Sequence, residues 1–397
     1  MTVFKHKKFQ FHLPPGVTYL DGNSLGPLPR AACDHVSNMM RAEWGEMLIT
    51  GWNKAHWMSL VRDIGDRIGG LIGAEPGHVV MGDTLSIKVY QALAAALDLN
   101  PGRKVILSDR GNFPTDLYMA EGLIKSLDNG HELRLVNHDE ISENIGDSVA
   151  VLMLTEVDYK TGQRHDMQAL SDKARANGVI TIWDLAHSAG ALPVDVSRAK
   201  ADFAVGCSYK YLNGGPGAPA FIYVAPKHAD IVRPALSGWL GHEAPFAFDL
   251  DYRPGAGIER MRVGTPPVIA LKALEAALTL WEDVDMAALR AQSIALGDLF
   301  ISEVERRCPA LTLASPRQGE MRGSQVSFRF AHGYPAMQAL IARGVIGDFR
   351  APDIMRFGIT PLYIDRQDIL RAVAVLEDVI TNRLWDDPAY QIRGKVT

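Results

Sequence analysis

The chain has 397 residues, of which 47% are hydrophobic and 22% are charged, and a formal net charge of −5 at pH 7. This length exceeds the usual size of a single hydrophobic core, so we expect two domains. The weakly acidic composition contains no block of like charges, which argues against nucleic acid or an anionic membrane as the main partner.

The N-terminal region combines a turn-rich stretch with one helix. Residues 19–29 are dense in turn formers, so we expect this stretch to lie over a surface rather than inside a core. Apolar residues at helical spacing predict a helix over 30–44. The next loop, 51–57, contains Trp52, which is either a candidate wall of a binding pocket or a residue packed under a helix.

From residue 78 the chain alternates between strands and helices. Short apolar runs predict strands at 78–81, 104–109, 133–137, 148–154, 179–184, 204–208 and 220–224. Helical patterns are found at 87–97, 117–127 and 166–177. This alternation predicts a mostly parallel sheet with right-handed crossovers. The last strand is expected to be antiparallel, because the connection that precedes it is too short for a helix.

Two loops of this region are candidate binding sites. At 82–86 a strand leads through a small polar turn into a helix, whose first N–H groups, with the Ser86 hydroxyl, can bind an anion. Serine is also an ordinary helix cap, so both interpretations stay open. The loop 111–116 carries Phe113, which can stack on a flat heterocycle. Thr155, at the end of the fourth strand, is either a contact of that heterocycle or a simple strand-end hydroxyl.

A carboxylate and an amine follow two neighbouring strands. Asp184 ends one predicted strand, with His187 three residues later, and Lys210 follows the next strand and precedes the glycine-rich loop 213–217. Both side chains are expected at the same sheet edge, where open α/β folds bind ligands. A desolvated amine can form a Schiff base with pyridoxal phosphate, and a carboxylate can keep its ring nitrogen protonated. The alternatives are a solvated lysine, a turn-capping aspartate and a core histidine.

Two further loops carry polar aromatic or hydroxyl side chains. Trp239, in the loop 237–242, and Thr265, in the loop 262–267, can each donate a hydrogen bond to a phosphate. Both loops are equally compatible with ordinary surface turns. His242 is, like Trp52, a candidate for a pocket that binds an aryl group or a simple packing residue.

A helix over 268–281 links the sheet to a region of different character. Its predicted elements are a helix that ends at 307, strands at 324–330 and 355–359, and helices at 337–343 and 366–384. Arg356 lies in the second of these strands and needs a partner, since a lone buried guanidinium is costly. A substrate carboxylate and an internal salt bridge to Asp353 are equally good candidates.

These patterns predict an α/β fold in three parts. We expect an N-terminal segment at 1–45 that packs with the small domain, and a large domain at 46–283 that contains a mostly parallel seven-stranded sheet covered by helices. A smaller α+β domain at 284–397 completes the chain.

The cysteines and the N-terminus bear on location. Cys33, Cys207 and Cys308 are widely spaced without a Cys-x-x-Cys pair, which offers no zinc site and fits a reducing compartment. The N-terminus is basic but lacks the apolar stretch of a signal peptide, and no segment is apolar enough to span a membrane. We therefore expect a soluble, cytoplasmic protein without a metal site.

Several motifs together resemble one enzyme family. They are Leu-Asp-Gly-Asn-Ser-Leu-Gly at 20–26, Phe-Pro-Thr-Asp at 113–116 and Ser-Tyr-Lys-Tyr-Leu-Asn-Gly-Gly-Pro-Gly at 208–217. With the strand-end aspartate, they are similar to the kynureninases, which are pyridoxal-phosphate enzymes of fold type I. The resemblance implies a homodimer with active sites at the subunit interface. It also implies hydrolysis of L-kynurenine to anthranilate and L-alanine in tryptophan degradation, with 3-hydroxykynurenine as a second candidate substrate.

The resemblance also implies a role for each matching position. Lys210 becomes the Schiff-base lysine, Asp184 the partner of the ring nitrogen and Tyr209 a proton relay, while Arg356 binds the substrate α-carboxylate. The implied cofactor contacts are Leu85, Ser86, Phe113, Pro114, Thr115, Asp116, Thr155, Asp184, His187, Tyr209, Lys210, Trp239 and Thr265, some of them from a second subunit. One departure is Lys88, which stands where the family pattern leads us to expect asparagine.

The nearest alternative in the same fold is a cysteine desulfurase or selenocysteine lyase. Those enzymes attack sulfur with a cysteine on a mobile loop in the second half of the chain. Here Cys308 is at a helix end and Cys207 is in a buried strand, so the pattern disfavours this function. An aminotransferase is a weaker alternative, and a non-catalytic binding protein would be expected to lack Lys210 or Asp184.

Overall fold

The structure is a computed structural model that describes residues 4–394. Residues 1–3 of the predicted N-terminal segment and residues 395–397 of the predicted small domain lie outside the described residues. Its strands, in chain order, are β1 (Thr18–Tyr19), β2 (Val79–Met81), β3 (Val105–Asp109), β4 (Glu132–Val136), β5 (Val149–Thr155), β6 (Ile180–Asp184), β7 (Phe203–Gly206), β8 (Phe221–Val224), β9 (Thr312–Leu313), β10 (Gln325–Arg329), β11 (Val345–Ile346), β12 (Asp348–Arg350) and β13 (Ile354–Gly358). Its helices are α1 (Arg30–Asn38), α2 (Gly51–Lys54), α3 (Leu60–Ile72), α4 (Leu85–Leu99), α5 (Pro114–Leu127), α6 (Ile141–Asn144), α7 (Met167–Ala176), α8 (Pro226–Ala229), α9 (Val268–Leu278), α10 (Met286–Arg307), α11 (Gly333–Ile341) and α12 (Arg366–Thr381).

Seven strands form the large sheet in the order β2-β8-β7-β6-β5-β3-β4. Strand β8 is antiparallel to both of its neighbours, and the other pairs are parallel. The predicted mostly parallel, seven-stranded α/β sheet is therefore confirmed, including the antiparallel strand. Every residue of β5 and β7 is buried, as expected for strands covered by helices on both faces.

Helix α3 was missed by the sequence analysis. Its buried Ile64, Ile68 and Ile72 recur at helical spacing, but the glycines between them obscure the pattern. One of these glycines has a packing reason, because a Cβ at Gly65 would lie 2.3 Å from the carbonyl oxygen of Val79. The helix thus packs directly on the backbone of the large sheet.

Two predicted boundaries are wrong for local reasons. The stretch 51–57 begins with the helical turn α2 rather than with a loop. Helix α5 starts at Pro114, earlier than predicted, since proline fits the first position of a helix, where its missing N–H costs nothing. The earlier start places residues 114–116 in the first turn of α5.

A second sheet lies in the C-terminal part and has the order β12-β13-β10-β9, with all pairs antiparallel. Helices α10 and α12 contact each other beside it. Strand β1 pairs in parallel with β11, so the N-terminal segment joins the C-terminal part through Thr18 and Tyr19. The sequence analysis had not predicted the short strands β1, β9, β11 and β12, and the three-part division of the chain stays a prediction. Within residues 4–394, no helix has the length and apolar character that crossing a membrane requires.

Candidate active site

Lys210 lies in the turn that follows β7, at the carboxyl edge of the large sheet. Its Nζ is 3.0 Å from Nε2 of His187. The same atom lies 5.9 Å from the centroid of the Phe113 ring and 5.8 Å from that of Tyr209. The structure therefore gathers three of the predicted residues around the amine of a fourth, Lys210.

The turn that carries Lys210 is fixed by backbone hydrogen bonds. The N–H of Asn213 donates to the Lys210 carbonyl at 3.0 Å, and the N–H of Gly26 donates to the Tyr209 carbonyl at 2.8 Å. A Cβ at Gly26 would lie 2.4 Å from the Lys210 carbonyl oxygen. Glycine is thus required for the N-terminal segment to cross this turn so closely.

Asp184 and Asp116 form a buried carboxyl pair. Asp184 ends β6 and accepts a hydrogen bond from the N–H of Ala186 at 2.8 Å, so it also caps the following turn. Burial raises the pKa of Asp116 well above its usual value, and the negative charge of Asp184 raises it further. Burial also raises the pKa of Asp184, but Lys210 and a hydrogen bond from Asp116 oppose that effect. Within the pair, these interactions favour the proton on Asp116 and the negative charge on Asp184.

Asn112 was not predicted as a site residue, although it connects two that were. Its side-chain oxygen accepts hydrogen bonds from the Thr155 hydroxyl and from the N–H of Phe113, the latter at 2.8 Å. Its amide nitrogen donates to Ser108 Oγ at 3.1 Å. The Thr155 hydroxyl also lies 3.4 Å from Asp184 Oδ2. Asn112 thus fixes the Phe113 loop to the strand ends, and the only sequence signal was its place in a turn.

Asp109, with His138 and His165, was also not predicted and supports the loop that carries Phe113. Asp109 accepts a hydrogen bond from the N–H of Gly111 at 2.7 Å, and its other oxygen lies 3.0 Å from His165 Nε2 and 3.3 Å from His138 Nδ1. Burial opposes ionisation of Asp109, but the two histidine hydrogen bonds outweigh it and lower the pKa of the carboxyl group. The imidazole rings are stacked 3.7 Å apart, so both approach the carboxylate from one side, as hydrogen-bond donors.

His187 is a neutral imidazole. Burial lowers its pKa well below the usual value, and the neighbouring Lys210 lowers it further. Its Nδ1 is buried without a hydrogen-bond partner among residues 4–394. His187 therefore faces the amine through Nε2, while an interaction with the side chain of Gln325 partly opposes the lowering of its pKa.

Arg356 is engaged within the protein. Its Nε donates to Asp348 Oδ1 at 2.6 Å, its Nη2 donates to the other Asp348 oxygen and to Ser24 Oγ, and its Nη1 donates to the Tyr159 carbonyl. The suggested partner Asp353 is wrong, because that residue pairs with an exposed arginine of β10. The correct partner sits directly opposite Arg356 on β12.

Asp21, Ser24, Asp348, Arg350 and Arg356 form what we call the arginine cluster. A cavity of about 580 Å³ is lined by members of this cluster and by Phe113, whose ring also lies beside Lys210. The ring of Tyr159 packs edge-on against Phe113, with centroids 5.1 Å apart, so the residue that accepts a bond from Arg356 also touches this loop.

The candidate phosphate contacts are spread over several elements. Leu85 and Ser86 begin α4, whose N-cap residue makes no side-chain hydrogen bond, so the first N–H groups of the helix have no cap. Pro114 and Thr115 begin α5. Trp239 packs against Phe246, and Thr265 lines a small pocket beside α4. Over residues 4–394, neither Trp239 nor Thr265 makes a hydrogen bond or ring contact with Lys210.

Three other predicted positions have local contacts. Lys88 is fully buried and donates to Gln91 Oε1 at 2.9 Å, and burial lowers its pKa to about 8. The ring of Trp52 packs against that of Trp57 at 5.5 Å. His242 accepts a hydrogen bond from the N–H two residues later.

Comparison with known proteins relates the chain to one family. The family model of the kynureninase C-terminal domain matches residues 289–376. The kynureninase of Burkholderia pseudomallei (strain 1106a) is 49% identical over 395 residues, which cover 98% of this chain and 95% of that protein.

Solved structures of other enzymes share the fold. The apo structure of a cysteine desulfurase from Thermococcus onnurineus NA1 has a TM-score of 0.81 at 17% identity, and the match covers 96% of this chain and 99% of that one. A C-DES mutant with glycine covalently linked to its PLP cofactor has a TM-score of 0.79 at 18% identity, covering 94% and 99%. At such low identity these structures are similar in fold alone.

Proposed function

The chain belongs to the kynureninase family, and we propose that it hydrolyses L-kynurenine to anthranilate and L-alanine, with 3-hydroxykynurenine as a second substrate. The observation that carries this proposal is the 49% identity to a kynureninase over 98% of the chain. Pyridoxal 5′-phosphate is the cofactor, and the reaction belongs to tryptophan degradation.

The residues at the sheet edge fit this cofactor. His187 Nδ1 and Asp116 Oδ2 are buried without hydrogen-bond partners among the described residues. Because these two atoms belong to residues at the sheet edge, they can take part in hydrogen bonds with a ligand bound there. Phe113 is 39% exposed and presents its ring beside Lys210, where a flat heterocycle can stack.

When bound, pyridoxal phosphate supplies an electron sink for the bonds that break in the substrate. Asp184 would hold the proton of the ring nitrogen, because its carboxylate is buried and stays ionised beside the protonated Asp116. Phe113 would position the ring from one face. Thr155 would contact the ring at the end of β5, where Asn112 orients its hydroxyl.

Lys210, His187 and Tyr209 would move protons. Lys210 would hold the cofactor covalently through its amine, and the same amine, when free, would be the base that removes the α-proton of the substrate. The neutral His187, 3.0 Å from the lysine amine, can accept a hydrogen bond from it and orient it. Burial raises the pKa of Tyr209 far above neutrality, so its hydroxyl stays protonated and can donate a proton to the β-carbon.

Phosphate binding would begin at α4 and be completed by a second copy of the chain. The first turn of α4, with Leu85 and Ser86, offers open N–H groups and a hydroxyl. Pro114, Thr115 and Asp116 would shape the side of the site next to α5. Because neither Trp239 nor Thr265 contacts Lys210 over residues 4–394, we assign both to the site of the partner subunit.

A homodimer with its active sites at the interface accounts for an exposed apolar stretch. Phe246 and Phe248 are 64% and 75% exposed, and Leu250 is fully exposed. Phe246 packs against both Trp239 and Phe248, and such apolar exposure is typical of a protein interface. Light scattering of the purified protein checks the dimer, and replacing Phe248 and Leu250 with serine should yield monomers with weak cofactor binding.

The desulfurase alternative is disfavoured by the state of the thiols. Burial raises the pKa of Cys207, and it raises the pKa of Cys308 to about 11. A desulfurase nucleophile has to be an accessible thiolate. Cys33 is exposed but lies on α1, away from the strand ends. All three cysteines are free, which agrees with a proposed cytoplasmic location.

One assay tests the proposed function directly. The purified protein with pyridoxal phosphate is mixed with L-kynurenine, and release of fluorescent anthranilate is followed, with L-tryptophan and L-cysteine as controls. Anthranilate from kynurenine alone is the expected result. Sulfide from cysteine without anthranilate from kynurenine would replace the proposal with the desulfurase alternative.

A further inference from the structure

Arg356 cannot offer two free, parallel N–H groups to a substrate carboxylate. Its side chain is 1% exposed, and four of its five N–H groups donate to Asp348, Ser24 and the Tyr159 carbonyl. Only one N–H of Nη1 has no partner among residues 4–394. A carboxylate that arrives from the cavity therefore needs a second cationic group.

Arg350 is placed to be that group. It lines the cavity of about 580 Å³ that Phe113 also lines, and its side chain is 34% exposed. Its Nη2 lies 2.8 Å from Asp348 Oδ2 and its Nη1 donates to the Phe349 carbonyl. Over the described part of the chain, its Nε–H and the second N–H of Nη1 have no partner.

The charge balance of the cluster favours an anion. Two guanidinium groups, Arg350 and Arg356, share the single carboxylate of Asp348. The other acid, Asp21, also lines the cavity, and its Oδ1 is buried without a partner within residues 4–394. Burial and then repulsion from Asp348 raise its pKa to about 8, although Arg356 lowers it. Near neutral pH the cluster thus carries one positive charge in excess.

We propose that Arg350 is a second binding residue for the α-carboxylate of the substrate, beside Arg356 and across their shared counter-ion Asp348. This inference rests on the proposed function, because it needs an α-amino acid in the cavity. The substrate carboxylate would accept directly from the free N–H groups of Arg350, which lines the cavity. The buried Arg356 is not among the lining residues and would act from behind, through the shared Asp348. The amino group would then lie on the Phe113 side, towards Lys210.

The test compares ligands with and without the carboxylate. Titration of the holoenzyme with L-alanine, followed by the visible absorbance of the bound cofactor, measures binding without turnover. R350Q should weaken L-alanine binding about 10- to 100-fold, as the loss of a charge-assisted contact predicts. It should weaken binding of L-alaninamide less than about twofold, because that ligand has no carboxylate. R350K should recover part of the lost affinity.

Controls separate binding from folding. Arg329 is a matched arginine on β10 of the same sheet. It pairs with Asp353 and is not among the residues that line the cavity, so R329Q should leave both titrations unchanged. Thermal melting and the cofactor absorbance confirm that each variant is folded. Equal losses for L-alanine and its amide, or no loss in R350Q, would overturn the inference. If R350Q weakens binding of L-alanine but not of its amide, and the unchanged enzyme releases no anthranilate from kynurenine, the proposed reaction is refuted and the carboxylate site is supported.

Discussion

The two halves of the candidate site are built differently. At the sheet edge, Asp184 and Lys210 come from adjacent strands and are separated by a short stretch of sequence. The arginine cluster instead joins a turn near residue 21 to strands beyond residue 348. In the proposed function, the first half would act on the cofactor and the second half would recognise the substrate. Variants of the first half should therefore lower kcat, and variants of the second should raise KM.

The largest effect is expected for Lys210. K210A removes the covalent link and the proton acceptor together, so activity should fall more than about 10⁴-fold. The visible absorbance of the lysine-bound cofactor should disappear as well. K125A, an exposed lysine on α5, is the matched control and should retain both properties. Substantial activity in K210A would contradict the assignment of Lys210 as the lysine that binds the cofactor.

The carboxyl pair should respond asymmetrically. D184N removes the carboxylate, and we expect a loss of about 10²- to 10⁴-fold in kcat. D116N keeps a hydrogen-bond donor in place of the protonated carboxyl, so its loss should stay within about fivefold. Steady-state kinetics with anthranilate detection distinguish the two. The reverse order would show that the proton sits on Asp184.

The net charge of the arginine cluster should affect how KM depends on pH. The pKa of Asp21 is raised to about 8, so the residue is neutral below that pH and gains a negative charge above it. That charge opposes carboxylate binding, and KM for kynurenine should rise up to about tenfold between pH 7 and pH 9. Within residues 4–394, the titratable groups that interact with Asp21 are Tyr19, Tyr211, Asp348, Arg350, Arg356 and Tyr363, and Arg393 lines the same cavity.

D21N isolates this contribution from other ionisations of the enzyme. The amide cannot ionise, so the rise of KM above pH 8 should be smaller in D21N than in the unchanged enzyme. Values of kcat should follow the same pH profile in both proteins. Identical KM profiles would remove Asp21 from the account of substrate recognition.

The smallest effect is expected for Asn112. N112A removes the hydrogen bonds that hold the Phe113 loop to Thr155 and Ser108, so cofactor affinity should fall several-fold. Titration of the apoenzyme with pyridoxal phosphate measures this change. N129A, at an exposed position after α5, serves as the control. Unchanged cofactor affinity in N112A would show that α5 alone positions the loop.

The same contrast explains what the sequence could predict. Asp184 and Lys210 were placed together because parallel strands end at one edge, a rule that needs only local patterns. The partner of Arg356 was mispredicted as Asp353, since nearness in sequence was the only guide. The actual partner, Asp348, depends on the register of β12 against β13. Ser24 reaches the same arginine from 332 residues away, which no local pattern reveals.

The sequence analysis missed Asn112 and the pairing of Asp116 with Asp184 for a related reason. Asn112 acts through hydrogen bonds to three separate positions, so its role depends on the relative placement of β3, β5 and α5. The pairing of Asp116 with Asp184 likewise depends on where α5 begins. The sequence analysis interpreted 111–116 as a loop and predicted the helix from 117, whereas the helix begins at Pro114, because proline fits the first helical position.

The N-terminal segment physically couples the two halves. At one end, Leu20 donates to the Ile346 carbonyl at 2.6 Å and accepts from the N–H of Gly358 at 2.7 Å. Six residues later, Gly26 is bonded to the carbonyl next to Lys210 at 2.8 Å. If the small sheet moved when a ligand bound beside it, residues 20–26 would carry that movement to the backbone next to Lys210. Lengthening this segment would therefore separate ligand binding at the arginine cluster from the position of the Lys210 amine, although no side chain of either half had been removed.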